Sequence, residues 1–244
     1  MNDEKPKFAT VNSFVEEYLV GIYQRQVTDT SDTVWCDQWW RHGEAAARLT
    51  AVWRAWERWH RDERGGLSYW LVQHADRHMK QLFDPRGPFK YCSVRNGHRG
   101  VLGPLPTETP PDALLAELTP ERHNDWWHPT LVDFVDGYLS QVYQRQVTDL
   151  SDTAWCPQWW QHREAVVRIE SLWTAHEFAR NDRSDRLSEW FLEHADPQMK
   201  QLLDPRGPFK YCTVRGGHQS KVSPLPVTTE QRGLFAEPDP VPDR

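Results

Sequence analysis

Apolar positions recur at helical spacing in blocks along the chain, and each block occurs twice. Phe14, Val15, Tyr18, Leu19, Ile22 and Tyr23 predict a first helix. Phe134, Val135, Tyr138, Leu139, Val142 and Tyr143 repeat it. Ser13 and Glu16 stand at capping-box spacing. Ala46, Leu49, Val52, Trp53 and Trp56 form the stripe of a second helix that begins just after His42. Glu44 suits its first turn, where the helix dipole favours an acid. Leu67, Trp70, Leu71 and His74 fall at i, i+3, i+4 and i+7, which predicts a third helix with His74 on its buried face. In the second copy Asp196-Pro197 reads as an N-cap and N1 pair opening a short fourth helix with Met199, Leu202 and Leu203. The pattern then changes. "DPRGP" is a turn, "FKYCSV" has the composition of a strand, and "RNGH" or "RGGH" supplies hairpin-turn glycines. The expected fold class is α+β, mostly α: two repeated modules of about four helices each plus a C-terminal β-hairpin.

The repeat has a constant offset. Cys36 and Cys156, Cys92 and Cys212, His42 and His162, His74 and His194, and His98 and His218 all lie 120 positions apart. This divides the chain into an N-terminal tail (1–9), module one (10–106), a proline-bounded linker (107–129), module two (130–226) and a tail (227–244) of disordered composition. The linker has room for one short helix after Pro111. Two modules are too few for a solenoid, so they are expected side by side, related by a pseudo-twofold.

Composition narrows the class. Hydrophobic residues make up 38% and mean hydropathy is −0.79, so the cores are small. The chain holds 14 tryptophans, large side chains suited to filling such cores. No apolar run approaches the roughly 18 residues of a membrane span, and "MNDEKPKF" has no apolar h-region. No membrane partner and a cytoplasmic location are expected. There the four cysteines stay reduced, which favours ligand or core roles over disulfides.

The cysteines come with histidines at fixed distance: Cys36-x5-His42 and Cys92-x5-His98, then Cys156-x5-His162 and Cys212-x5-His218. Two such arms per module make a Cys2His2 set, the donor set of tetrahedral structural zinc. About two zinc ions per chain are therefore expected, with His74 and His194 as reserve ligands. The competing possibility is inert cysteine and histidine in a core. A helical Trp39-Trp40 pair would point its two rings about 100° apart, so one tryptophan can keep such a site dry while the other fills the core.

A charge pattern follows the second arm. Net charge is −6, yet no acidic residue stands between Pro85 and Thr107 or between Pro205 and Thr229. Arg86, Lys90, Arg95 and Arg99, and Arg206, Lys210, Arg215 and Lys221, lie there among Phe89, Tyr91, Phe209 and Tyr211. Basic residues interleaved with aromatics bind phosphates and stack bases. A solvated face balanced by acids elsewhere is the simpler account.

The run "WC-x-QWW-x-H-x-EA-x-x-R…LW-x-A-x-E", followed by "W-x-x-x-HAD", "DPRGPFKYC" and "GH…PLP", resembles a family of uncharacterised actinobacterial domains found as cargo of plasmids, phages and integrative conjugative elements. The resemblance covers both modules. It implies a bacterial cytoplasmic protein of mobile-element origin and brings no activity with it. His176 departs from the tryptophan the pattern expects there, where module one has Trp56. Together these features point to a non-enzymatic tandem zinc adaptor that contacts nucleic acid or an acidic protein surface. The alternatives are a metal-dependent enzyme with an open zinc position and a metal-free interaction scaffold. No H-E-x-x-H or phosphate-loop motif supports an enzyme.

Overall fold

The computed structural model describes residues 5–118, 125–182, 184–221 and 223–226, apart from the side chains of residues 116 and 117. The expected disordered tail, 227–244, and residues 1–4 lie outside the described residues. Module one is built from α1 (residues 11–22), α2 (Gly43–Trp59) and α3 (66–83). The linker carries α4 (Asp112–Leu118), and module two repeats the set as α5 (131–142), α6 (Arg163–Asn181) and α7 (186–202). A 3-10 turn precedes each central helix, at Trp39–Arg41 and Trp159–Gln161.

The expected α+β class is corrected in two ways. Among the described residues there is no strand; the "FKYCSV" segment forms successive turns, closed by a single bridge between Ser93 and Gly97, and by Thr213 and Gly217 in module two. Phe89 and Cys92 pack into the core without a partner strand while Val94 stays exposed, so composition alone misled. The two C-terminal helices expected of each module are also one. α3 and α7 run straight through a π-helical segment, Leu71–Ala75 and Trp190–Ala195. Module one has Arg77 where module two has Pro197, so the proline does not break the helix. It follows the wider π turn directly, which gives its ring room.

Local signals set the helix starts. The N-cap of α1 is Thr10, whose Oγ1 accepts from Ser13 N–H at 3.2 Å while Ser13 Oγ accepts from Thr10 N–H at 3.2 Å. The capping box is therefore Thr10–Ser13, not Ser13–Glu16. Phe8 N–H donates to Glu57 at 3.0 Å, and Phe8 packs edge-on against Phe14, so the segment before α1 joins the core.

Aromatic side chains dominate both cores. In module one Phe14, Leu19, Leu49, Val52, Trp56, Trp70, Leu82 and Phe89 are buried together. Trp70 Nε1 donates to the Val52 carbonyl at 3.1 Å, and Trp190 Nε1 repeats this with Leu172 at 3.0 Å. Each indole thus buries its ring with its polar atom satisfied. Where module one packs Phe8 at a tilt against Trp56, module two has His128 and His176, held by Glu177.

The modules pack head to tail. α2 of module one lies against residues 140–142 and 186–189 of module two. Arg48 pairs with Asp196, Arg145 with Glu44, Arg77 with Glu193, and Trp59 Nε1 donates to Asp185. A twofold would require the reciprocal pairs. Instead Arg168 stays with Glu164 on its own helix and Asp76 accepts from Tyr23. The contact is heterologous, and the pseudo-twofold expectation is corrected.

Candidate metal centre

The 3-10 turn and the loop after α3 bring the two Cys/His arms together. His42 N–H donates to the Trp39 carbonyl at 3.1 Å, which places His42 at the N-cap of α2, with Cys36 just ahead of the turn. On the other arm, Lys90 N–H bonds the Gly87 carbonyl and Cys92 N–H bonds the Phe89 carbonyl at 2.8 Å. Gly97 adopts φ +66°, a region open to glycine at no steric cost, and turns His98 back toward Cys92. A Cβ at Gly87 would meet the Gln81 carbonyl at 2.6 Å, so only glycine lets the loop lie this close to α3.

The ligand atoms of Cys36, His42, Cys92 and His98 all lie within 4.8 Å of one another, and those of Cys156, His162, Cys212 and His218 do the same. Cys92 Sγ is 3.4 Å from His42 Nε2, Cys36 Sγ is 3.5 Å from His98 Nδ1, and the two imidazole nitrogens are 3.0 Å apart. Module two gives 3.4, 3.6 and 3.1 Å for the same pairs. Metal–sulfur bonds of about 2.3 Å and metal–nitrogen bonds of about 2.05 Å arranged tetrahedrally imply edges of roughly 3.6 Å for S···N and roughly 3.3 Å for N···N. The donor set and its spacing fit a tetrahedral ion.

The surroundings suit thiolate and neutral imidazole. Each sulfur faces a backbone N–H: Gln38 at Cys36, Arg99 at Cys92 (3.4 Å), Gln158 at Cys156 and Gln219 at Cys212 (3.4 Å). His42 and His162 hydrogen-bond the Pro88 and Pro208 carbonyls, which fixes each ring with Nε2 toward the cluster. Burial pushes the Cys36 and Cys156 thiols up to about 12. Burial, reinforced by His98, pushes His42 down to about 4, and His162 moves the same way. Without a cation these groups stay uncharged; a bound dication would stabilise the thiolates and release their protons.

Of the reserve ligands, neither joins a cluster. His74 is buried between the modules with Nδ1 2.8 Å from Ser188 Oγ, and His194 is exposed. A phenylalanine lies against the histidine of each cluster, and of the Trp39–Trp40 pair Trp39 is buried. Phe89 meets His42 edge-on at 5.0 Å and Phe209 meets His162 at 4.9 Å, whereas Trp40 is exposed. Both phenylalanines are fully buried, so they are unavailable for stacking bases. Their proximity to the Cys arm was visible in "GPFKYC", but their orientation was not.

The basic residues sit at the surface. Arg86 and Arg206 pair with Asp84 and Asp204, Arg215 with Asp149, and Lys90 donates to Gln146 at 2.7 Å. Arg95, Arg99, Lys210 and Lys221 are exposed. Acids outside the acid-free windows thus offset part of each patch. A third group, His128, His176 and Glu177, also brings its ligand atoms within 4.8 Å. Glu177 already accepts from Trp127 N–H, His128 N–H and His128 Nδ1, and Glu57 does the same anchoring work in module one, so that group has a packing role.

One family model, described as a domain of unknown function (DUF4913), matches residues 8–111 and again 128–231. The chain belongs to the DUF4913 family. The two DUF4913 copies coincide with the two Cys/His clusters, one each. No curated protein and no solved structure matches the chain. No helix among the described residues is long and apolar enough to cross a membrane.

Proposed function

We propose that each DUF4913 copy holds one structural zinc ion, and that the tandem acts as a non-catalytic adaptor whose exposed basic residues contact an anionic partner, nucleic acid or an acidic protein surface. The observation that carries the zinc reading is the convergence of two cysteines and two histidines in both modules at nearly the same distances. Cys36, His42, Cys92 and His98 would hold one ion, and Cys156, His162, Cys212 and His218 the other. Four protein donors satisfy a tetrahedral ion, which favours a structural role over an open catalytic position. Zinc would cross-link the start of α2 to the loop after α3, and so tie the basic loop to the helical core.

The partner reading rests on the exposure of Arg86, Lys90, Arg95, Arg99, Arg206, Lys210, Arg215 and Lys221. A titration of the chain with single-stranded and duplex DNA and RNA across salt concentrations tests it. Binding that weakens steeply with salt, and weakens further when Arg95, Arg99, Arg215 and Lys221 are neutralised, is the expected result. Salt-insensitive or absent binding to all of them, and to an acidic peptide, would exclude it.

A further inference from the structure

The heterologous contact between the modules uses one face of each and leaves the other face of each unused. In module two the docked face includes Ser140, Val142, Leu187 and Leu192, which are 2%, 4%, 6% and 7% exposed. Their counterparts in module one are Val20, Ile22, Leu67 and Val72, which are 44%, 42%, 42% and 57% exposed. Module one therefore presents to solvent the apolar face that module two buries. Its polar elements are in place as well. Tyr23 donates to Asp76 at 2.7 Å as Tyr143 donates to Asp196 at 2.7 Å, and Arg25 stands where Arg145 does.

Module two carries the complementary unused face. On α2 of module one, Glu44 and Arg48 are buried against Arg145 and Asp196. On α6 the counterparts Glu164 and Arg168 pair, among the described residues, with each other, and Val167 and Phe178 are 58% and 70% exposed. Among the described residues, the same two kinds of surface that meet inside the chain are thus both uncovered, one on each module.

We infer that a second copy of this chain docks head to tail, the α6 face of one copy covering the Val20–Ile22–Leu67–Val72 face of module one in the next. Arg168 then faces Asp76 and Glu164 faces Arg25, as Arg48 faces Asp196 and Glu44 faces Arg145. Because the contact is heterologous, association extends past a dimer or closes into a ring. It is looser than the internal contact. A Cβ at Gly43 would meet the Gln141 carbonyl at 2.5 Å, and module two has Arg163 at that position. Ala179 and Gln198 also stand where Trp59 and His78 make contacts across the internal interface.

Sedimentation velocity of the full, untagged chain over a wide concentration range tests this, with metal content checked for each variant. The wild type should gain mass with concentration beyond a dimer or to a ring. Val72→Asp and Val167→Asp, both at exposed positions, should each abolish association. Mixed together, those two chains should form a one-to-one heterodimer and stop there, since each retains one face; the mixing also shows that both are folded. Arg163→Gly should strengthen wild-type association by removing the clash. A monomer at every concentration, a dimer indifferent to both aspartate variants, or a mixture that stays monomeric would overturn the inference.

Discussion

Arg48 of module one pairs with Asp196 of module two, its Nη1 3.0 Å from Oδ2, while its repeat counterpart Arg168 reaches no farther than Glu164. One sequence position therefore has two physical roles. Arg48 is buried in a network with Glu44, Arg145 and Asp196, and its guanidinium lies over the Phe191 ring. Burial alone would raise the Glu44 carboxyl, but Arg145 and Arg48 outweigh it and hold Glu44 below the usual carboxylate range.

Removing one member of that network strands the others. Arg48→Ala should destabilise the chain by about 3–5 kcal/mol, because Glu44 is left buried with a weakened set of partners. Arg168→Ala should change stability by no more than about 0.5 kcal/mol, as expected of a solvent-accessible i,i+4 pair with its acid exposed. Denaturant unfolding of the two variants side by side measures the contrast.

Ser188 is the polar hinge of the same interface. Its hydroxyl lies 2.8 Å from His74 Nδ1 and 2.9 Å from His78 Nε2. Ser188→Ala should lose about 1–3 kcal/mol by leaving two buried imidazoles short of a partner. Ser68→Ala, at the exposed counterpart, should be close to neutral in the same unfolding assay.

His78 makes the interface sensitive to acid. Burial, with Arg48, His74 and Arg77 nearby, holds its pKa well below the ordinary histidine value. The unfolded chain therefore takes up a proton near pH 6.5 that the folded chain refuses. The stability contribution of neutral His78 is complete above that pH and declines as pH falls below it, by about 1.4 kcal/mol per pH unit. His78→Gln, the residue module two already carries at 198, should remove that part of the slope when unfolding is measured between pH 7 and pH 5.

Much of this organisation was legible in the sequence. The 120-residue offset, the helix stripes and the paired Cys-x5-His arms all reflect local periodicity or internal comparison. The strand expectation failed because Phe89 and Cys92 owe their burial to the core and to the Cys/His cluster, not to a ladder. The interface was hidden for a different reason. Arg48 and Arg168, or Ser68 and Ser188, are the same residue type, and only the packing of one module on the other separates them. The signal lay in the mismatches. His78 against Gln198, Trp59 against Ala179 and Asp185 against Gly65 differ because one member of each pair serves the contact and the other does not.

The lid residue offers a separate test of the metal site. Phe89→Ala opens the buried side of His42, so zinc should leave faster to a chelator than from the wild type, and Phe209→Ala should do the same for the second site. Stopped-flow transfer of the metal to a chromogenic chelator reads both rates.

Native mass spectrometry of the untagged chain counts the ions that the two Cys2His2 clusters hold. Two zinc ions per chain are expected, one in Cys92→Ser, one in Cys212→Ser and none in the double variant, with helical content falling as metal is removed by chelator. A wild-type chain that carries no metal after purification in zinc-containing buffer, and whose folding is indifferent to chelator, would contradict it.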